Sequence, residues 1–253
     1  MGGLHYQVAA GRIASGDSPR TIPTEPTLEE ERGCVLERGG YRVHLADSSG
    51  QWKAGMLVER MYSWRGYHTE RPTTAPASAS RITLQATCGP HLFGTLTAGL
   101  DSKEGLLADA LYPEEVDALR AMGCRLCEIS KLAVDPQYGS KEVLASLFHL
   151  AYIYVHIIHK ATDVLIEVNP RHAPFYQRRL GFQRIGEIRQ CPRVAAPAVL
   201  LHIELSYMEA QIARHGGSCN AKERSLYPYF FSTLQAPPNS EQENSEGRMQ
   251  LAA

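Results

Sequence analysis

No run of about 18 or more uninterrupted apolar residues, the length a helix needs to cross a bilayer, occurs in this 253-residue sequence. The nearest approach, residues 143–158, is broken by His149 and His156, so no membrane span is predicted. The first residues also lack a basic segment followed by an apolar one, and Tyr6 stands where a myristoylation signal needs Ser or Thr. The expected location is the cytosol. Cysteine is sparse: Cys34, Cys88, Cys124, Cys127, Cys191 and Cys219, in a chain long enough to bury a core, point to reduced thiols and not to a disulfide framework. Metal-ligand patterns are equally thin. Cys124-Arg-Leu-Cys127 has knuckle spacing, but no second pair follows and the segment reads as a strand. His156 and His159 share a helix face with no carboxylate one turn further on. No metal site is expected.

Charge of one sign is lacking overall, since the net charge is −1, yet its distribution is uneven. Residues 1–37 and 236–253 are acidic, which leaves the stretch between them net basic. Within that stretch Arg171, Arg178, Arg179, Arg184, Arg189 and Arg193 face one acid, Glu187. Such a cluster attracts anionic partners or serves as a solvated face. Aromatic residues do not interleave with it as a base-stacking platform requires, and nucleic acid is not the expected partner.

Residues 1–38 and 236–253 are rich in Gly, Ser, Pro and Glu without apolar periodicity and are expected to be disordered tails. Between them strand and helix patterns alternate. Strands are predicted over 41–46, 81–88, 91–102, 126–134, 163–168, 182–189 and 198–206. Helices are predicted over 51–67, 113–122, 141–160 and 172–180, with a loop at 71–80. Gly89-Pro90 marks a hairpin, Pro113 and Gly123 bracket one helix, and Gly181 closes another. The order β-α-β-β-α-β-α-β-α-β-β implies one mixed α/β (α+β) domain over 39–215, a single twisted sheet flanked by helices, followed by an extension at 216–235.

Two segments carry a resemblance. Glu167-Val-Asn-Pro-Arg-His-Ala-Pro-Phe-Tyr-Gln-Arg-Arg-Leu-Gly-Phe182 resembles the fifth strand and fourth helix of GNAT acyltransferases. Cys127-Glu-Ile-Ser-Lys-Leu-Ala-Val134 is similar to the fourth strand of the FeeM-type long-chain N-acyl amino acid synthases and, less closely, of acyl-homoserine lactone synthases. The likeness extends over about residues 40–206, and Leu226-Tyr-Pro-Tyr-Phe-Phe231 resembles the same family's C-terminal extension. It implies a GNAT-like fold and transfer of a fatty acyl group from a thioester to the amino group of an amino acid, with no permanently bound cofactor. The co-substrate would be the acyl-phosphopantetheine of acyl carrier protein or acyl-coenzyme A. The glycine-rich loop with which GNAT enzymes hold the coenzyme A pyrophosphate is altered here: the segment reads Pro136-Gln-Tyr-Gly-Ser-Lys-Glu142. That favours acyl carrier protein. Lys131 and Leu132 stand where the lactone synthases place an Arg-Phe pair, which counts against a lactone product.

Such a reaction needs a base to free the amine and an acid for the leaving thiolate. Glu128, among the apolar residues of its strand, is the candidate base, although strand alternation alone leaves open a surface orientation. The resemblance implies Tyr176 as the acid; the residue pattern equally allows a core aromatic. Backbone N–H groups after Glu128 are expected to polarise the thioester carbonyl. Asn169 and His172 either orient the amine or cap the helix beside them. Lys131 is grouped with these substrate-binding candidates. Met56, Met61, Tyr62 and Trp64 are candidates for an acyl channel, or ordinary core. A covalent route through Cys127 is disfavoured because the neighbouring carboxylate raises the thiol pKa. Arg178, Arg179 and Arg184 are the expected docking residues for acyl carrier protein. The competing readings are a coenzyme A-dependent acetyltransferase of a small amine or protein, and a non-catalytic module that binds acyl carrier protein.

Overall fold

The computed structural model describes residues 35–67, 80–220 and 222–231. The tails expected at 1–34 and 236–253, and the loop at 71–79, lie outside the described residues. Nine strands, β1 (Val35–Arg38), β2 (Tyr41–Leu45), β3 (Arg81–Cys88), β4 (His91–Leu100), β5 (Leu126–Val134), β6 (Asp163–Val168), β7 (Gln183–Arg184), β8 (Arg189–Cys191) and β9 (Ala196–Glu204), form one sheet in the order β1-β2-β3-β4-β5-β6-β9-β7, with β8 paired to β9. The β5/β6 pair is parallel and the other pairs are antiparallel.

Strand alternation sorts the side chains onto two faces. On the first lie α1 (Ser48–Ser63), a 3₁₀ turn (Leu107–Ala110) and α2 (Pro113–Ala121). Leu57, Val58 and Met61 of α1 pack on Ala133, and the turn and α2 pack on Leu126, Leu165 and Leu200. On the second face lie α3 (Lys141–Tyr152), continued by a π-helical stretch (Ile153–Ile158), then α4 (Ala173–Leu180) and α5 (Leu205–His215). Leu147, Phe148 and Leu150 of α3, Leu180 of α4 and Met208 and Ile212 of α5 share the main core with Cys127, Ile129, Val164 and Ile166. The helical segment Lys141–Ile158 is long and apolar enough to cross a membrane by composition, but most of it is buried in this core.

Local chemistry explains the element ends. The Asp47 carboxylate accepts the Gly50 N–H at 2.7 Å and starts α1 three residues before the expected position. Ser140 caps α3 by accepting the Val143 N–H at 3.2 Å. Gly181 closes α4 at φ +88°, where a Cβ would meet the Tyr207 ring at 2.5 Å. The C-terminal segment packs against the second face: the Tyr227 hydroxyl donates to the Leu180 carbonyl at 2.6 Å, and the Phe231 N–H donates to His149 Nδ1 at 3.0 Å. Burial holds that imidazole neutral, with its pKa pushed down to about 3.

Three expectations are corrected. The presumed tail to residue 38 ends in β1, because Gly39 and Gly40, both at positive φ, make a two-residue hairpin that pairs Arg38 with Tyr41. The strand expected over 182–189 is only Gln183–Arg184: the N–H groups of Ile185 and Gly186 both turn to the Leu200 carbonyl, and β8 resumes at Arg189. Leu205 and Ser206, read as the end of a strand, begin α5, with Met208 and Ile212 on its buried face.

Arg120 ties the first face together. Its guanidinium donates to Asp101 at 2.7 and 2.8 Å, to Asp109 at 2.6 and 2.8 Å and to Asp117 at 2.9 Å. Asp109 in turn accepts the Leu106 N–H at 2.6 Å, so one fork fixes the end of β4, the 3₁₀ turn and α2. Arg120→Ala is expected to lower stability by about 2 kcal/mol, above an exposed ion pair and below a fully buried one. Arg120→Lys should recover less than half, since an ammonium cannot serve two carboxylates bidentately. Urea unfolding measures both; a loss below about 0.5 kcal/mol for the Ala variant would reduce the cluster to surface charge.

Candidate active site

The parallel strands β5 and β6 are paired only at Leu126–Asp163, Cys127–Val164 and Glu128–Leu165. Beyond Glu128 they part. The cause lies on the other edge of β5, where Thr97 pairs with Ser130 and Thr95 with Ala133, so that Leu96 alone stands against both Lys131 and Leu132. This bulge turns Lys131 into the left-handed region, at φ +52°, and bends the strand. The gap it opens is a cleft of about 690 Å³ between residues 129–134 of β5 and 166–169 at the end of β6. Gly55, Val58 and Tyr62 of α1 line it from the first face, and His172, Phe175 and Tyr176 line it from the second.

Glu128 sits where the strands part, on the first face, with 5% of its surface exposed. Its Oε2 accepts the Ala108 N–H of the 3₁₀ turn at 2.9 Å. Burial raises its carboxyl pKa to about 7; the Ala108 N–H pulls it down, Glu167 adds to the rise, and Arg81 and Arg193 oppose it. Glu167, on the same face of β6, is also raised by burial, against the pull of Arg193. Arg193 donates to Glu167 Oε1 at 2.6 Å and to the Leu107 carbonyl at 2.8 Å. The other oxygen, Oε2, is buried without a hydrogen-bond partner among the described residues.

Tyr176 enters from α4 with its ring edge-on to Phe148, Phe175 and Phe182. Burial pushes its phenol above the usual range, the Tyr62 phenol adds to this, and Arg65 opposes it. Burial likewise pushes Tyr62 up to about 12. A third phenol lining the cleft, Tyr67, has a buried hydroxyl without a hydrogen-bond partner among the described residues. Both phenols with shifted pKa values keep their protons at neutral pH.

The other residues singled out from sequence divide. Asn169, His172 and Lys131 line the cleft with Glu128 and Tyr176. Asn169 Oδ1 accepts the Arg171 N–H at 3.2 Å, which commits that oxygen to the turn before α4. His172 is held below its usual pKa by burial and by Arg171 and Arg65, and is neutral at pH 7. Met61 and Trp64 do not line the cleft. Met61 is buried against the sheet, and Trp64, 70% exposed, lies beyond the end of α1 under Arg65. At 100° per residue the cleft side of α1 runs through Gly55, Val58, Glu59 and Tyr62, one residue around from the stripe that packs on the sheet. Met56 is exposed as well. Cys127 points to the opposite face, fully buried, with its thiol donating to the Asp163 carbonyl at 3.3 Å. Burial pushes its pKa above the usual range.

Arg178, Arg179 and Arg184 lie outside the cleft, and they are not equivalent. Arg179 donates to the Arg224 carbonyl, Arg184 pairs with Glu187 at 3.0 Å, and Arg178 is exposed. Of the same cluster, Arg189 is paired to Glu115 and Arg193 to Glu167. Arg171 lies over the Tyr67 ring at the cleft. At the start of α3, Ser140 already caps the helix and Glu142 occupies its first turn. Burial opposes ionisation of Glu142, yet its own N–H and Ser140 hold it below the usual carboxylate range. Among the described residues no group of three or more His, Cys, Asp or Glu is placed to hold a metal ion. Arg81, Glu167 and Tyr67 were not anticipated as site residues. The hairpin register could have found Arg81, since it places Arg81 beside Gly99 and Gly99 beside Glu128.

Residues 53–204 match the family described as N-acyl amino acid synthase FeeM. Among solved structures, FeeM, an N-acyl amino acid synthase from uncultured soil microbes, superposes with a TM-score of 0.62 at 26% identity, over 67% of this chain and 94% of that one. The acyl-homoserine lactone synthase LasI matches with a TM-score of 0.49 at 14% identity, over 65% and 90% of the two chains. An acyl-CoA N-acyltransferase from Pseudomonas aeruginosa matches at 0.46 and 11%, over 64% and 97%. The comparison with curated protein sequences gives no match. The mixed sheet with flanking helices is the GNAT acyltransferase fold.

A carboxyl group with a raised folded pKa leaves a thermodynamic signature. Folded Glu128 keeps its proton up to about pH 7, whereas the unfolded chain releases it near the ordinary 4.5, so its contribution to stability is lost as pH rises across that window. Glu128→Gln retains an acceptor for the Ala108 N–H and removes the titration. The variant is therefore expected to gain on the wild type by about 2 kcal/mol between pH 5 and pH 8, read by urea unfolding at both. A constant difference would mean that Glu128 ionises like an exposed carboxylate.

Proposed function

Because the chain belongs to the FeeM family of N-acyl amino acid synthases and is an acyltransferase of the GNAT fold, we propose that it transfers a long-chain fatty acyl group from the thioester of acyl carrier protein directly to the α-amino group of an amino acid. The observation that carries this reading is the half-ionised carboxyl of Glu128, buried at the head of a cleft that Tyr176 enters from the opposite face. A base with a pKa near 7 is matched to taking a proton from an ammonium at neutral pH. Glu167, paired with Arg193 through one oxygen, has the other available among the described residues to that ammonium. The freed nitrogen attacks the thioester carbonyl carbon, the C–S bond breaks, the departing thiolate takes the Tyr176 proton, and the second proton that the nitrogen sheds on becoming an amide restores the phenol. Backbone N–H groups of the bulge residues, outside the regular ladder, are the donors available to the carbonyl oxygen in the gap. The thioester arrives from the side of α3 and α4, and the amine from the side of α1. Ile129, Leu144, Ile166, Val168 and Phe175 offer the acyl chain an apolar lining.

The start of α3 supports a carrier protein as donor. GNAT enzymes that take coenzyme A present free N–H groups there, whereas here Ser140 and an ionised Glu142 occupy the helix start and repel a pyrophosphate. Arg171 at the cleft and Arg178 two turns further along supply charge for an acidic carrier, with Arg179 beside them; Arg184 is already matched by Glu187. The reading places the chain in the cytosol, with free amino acids and reduced thiols.

Supplying the purified protein with acyl carrier thioester and a mixture of amino acids should give N-acyl amino acids by mass spectrometry. Glu128→Gln is expected to lower kcat by about 100-fold or more; wild-type turnover in a folded Gln variant sinks the base assignment. Tyr176→Phe should lose most with alkyl thioesters and least with an aryl thioester of low leaving-group pKa, and equal losses would remove Tyr176 as the acid. Reversing Arg178 and Arg179 to Glu should raise KM severalfold for acyl carrier protein and hardly at all for acyl-coenzyme A, with the difference shrinking as salt rises. Parallel losses for both donors would contradict the docking role.

A further inference from the structure

Arg81, Gly99 and Glu128 lie abreast on three neighbouring strands: β3 pairs Arg81 with Gly99, and β4 pairs Gly99 with Glu128. Residues abreast share a face of the sheet, so the side chains of Arg81 and Glu128 rise on the same side with a position between them. That position has no side chain. The Arg81 stem lies across Gly99, where a Cβ would stand 3.4 Å from Arg81 Cγ and 3.7 Å from Nε. The guanidinium is thereby carried toward Glu128 and into the cleft wall.

Four cationic side chains line the cleft, and their commitments differ. Arg193 is taken by Glu167 and the Leu107 carbonyl. Arg65 donates to the Met61 carbonyl at 3.1 Å and lies over the Trp64 ring. Lys131 is exposed on the bulge and is not among the groups that act on Glu128. Arg81 has no ion pair or side-chain hydrogen bond among the described residues, yet it acts on Glu128. A half-buried guanidinium that no described residue engages, beside the carboxyl that receives the amine, can hold an anion by two parallel hydrogen bonds.

We propose that Arg81 binds the α-carboxylate of the acceptor and makes the enzyme select amino acids over amines that lack this group. The inference rests on the acyl-transfer reading above. In an α-amino acid the nitrogen and the carboxylate carbon are two bonds apart, so an amine delivered to Glu128 puts its carboxylate against the adjacent group. Glu128 and Glu167 repel that carboxylate, and a cation is needed at that point to admit it. A Cβ at position 99 would only touch the Arg81 stem, whereas a longer side chain there would compete with it for the space across the strand.

The test uses the full chain, an acyl thioester donor, and two acceptors with the same side chain: an amino acid and its carboxamide. The ratio of their kcat/KM values is measured for the wild type, Arg81→Gln and Arg81→Lys. The wild type should prefer the amino acid by about 10-fold or more. Arg81→Gln should reduce that preference by about 10-fold, with the loss falling in KM for the amino acid, and Arg81→Lys should be intermediate because it keeps the charge without the fork. A merely structural role would lower kcat for both acceptors together. An unchanged ratio in Arg81→Gln overturns the proposal. So does a wild type that uses both acceptors equally, which needs no variant to fold. A wild type that acylates neither acceptor from any thioester refutes the acyl-transfer reading itself, and with it this inference.

Discussion

The parting of β5 from β6 after Glu128 is the constraint on which the rest of the site depends. Two parallel strands in register would bury their facing edges and leave no cavity. Placing Lys131 and Leu132 against a single Leu96 bends β5 away, at the cost of one non-glycine residue in the left-handed region. The opening joins the two faces of the sheet. Side chains from α1 and from α4, which a closed sheet would separate, thus line one cleft. The last paired residue before the parting is also the one whose carboxyl is buried and holds its proton up to about pH 7.

Electrostatics around that point follow from the same geometry. Alternation puts Glu128, Glu167 and Arg81 on the first face and Cys127 and Ile129 on the second, so the acidic groups share the cleft while the thiol is sealed in the core. Glu167 raises the cost of ionising Glu128; Arg193 opposes the rise at both, but its ion pair is with Glu167. Glu128, which lacks that ion pair, is the carboxyl pushed up to about 7, a difference set by which of the two holds the arginine. The Ala108 N–H keeps Glu128 from rising further, and the turn that carries it is held by Arg120 through Asp109. An ion cluster on the outside of the first face thus fixes a hydrogen bond at the site.

Much of this was legible in the sequence. The β3/β4 hairpin, the helix bracketed by Pro113 and Gly123, the α4 end at Gly181, and the strand holding Glu128 all follow from turn residues and periodicity. Short or shared elements were not. Four residues of β1 are too few to show alternation, and the alternating run of β9 absorbed the first two residues of α5. In α1 the period was readable but the face was not: Met61 and Trp64 have the spacing of a buried stripe, yet the cleft lies beside Val58 and Tyr62. The burial of Glu128 depends on a turn twenty residues earlier folding over it, a contact that no pattern within β5 encodes. The arginine cluster dissolved for a related reason, because Glu115 and Glu167 reach Arg189 and Arg193 from distant parts of the chain.

The central claim is that the splayed strands create a carboxyl group tuned to neutrality. It is tested most directly by following the side-chain carboxyl carbons of glutamate by ¹³C NMR as a function of pH, with the Glu128 resonance identified by its loss in Glu128→Gln. The account predicts a titration midpoint near 7 for that one signal, and a midpoint at the ordinary 4.5 would contradict it.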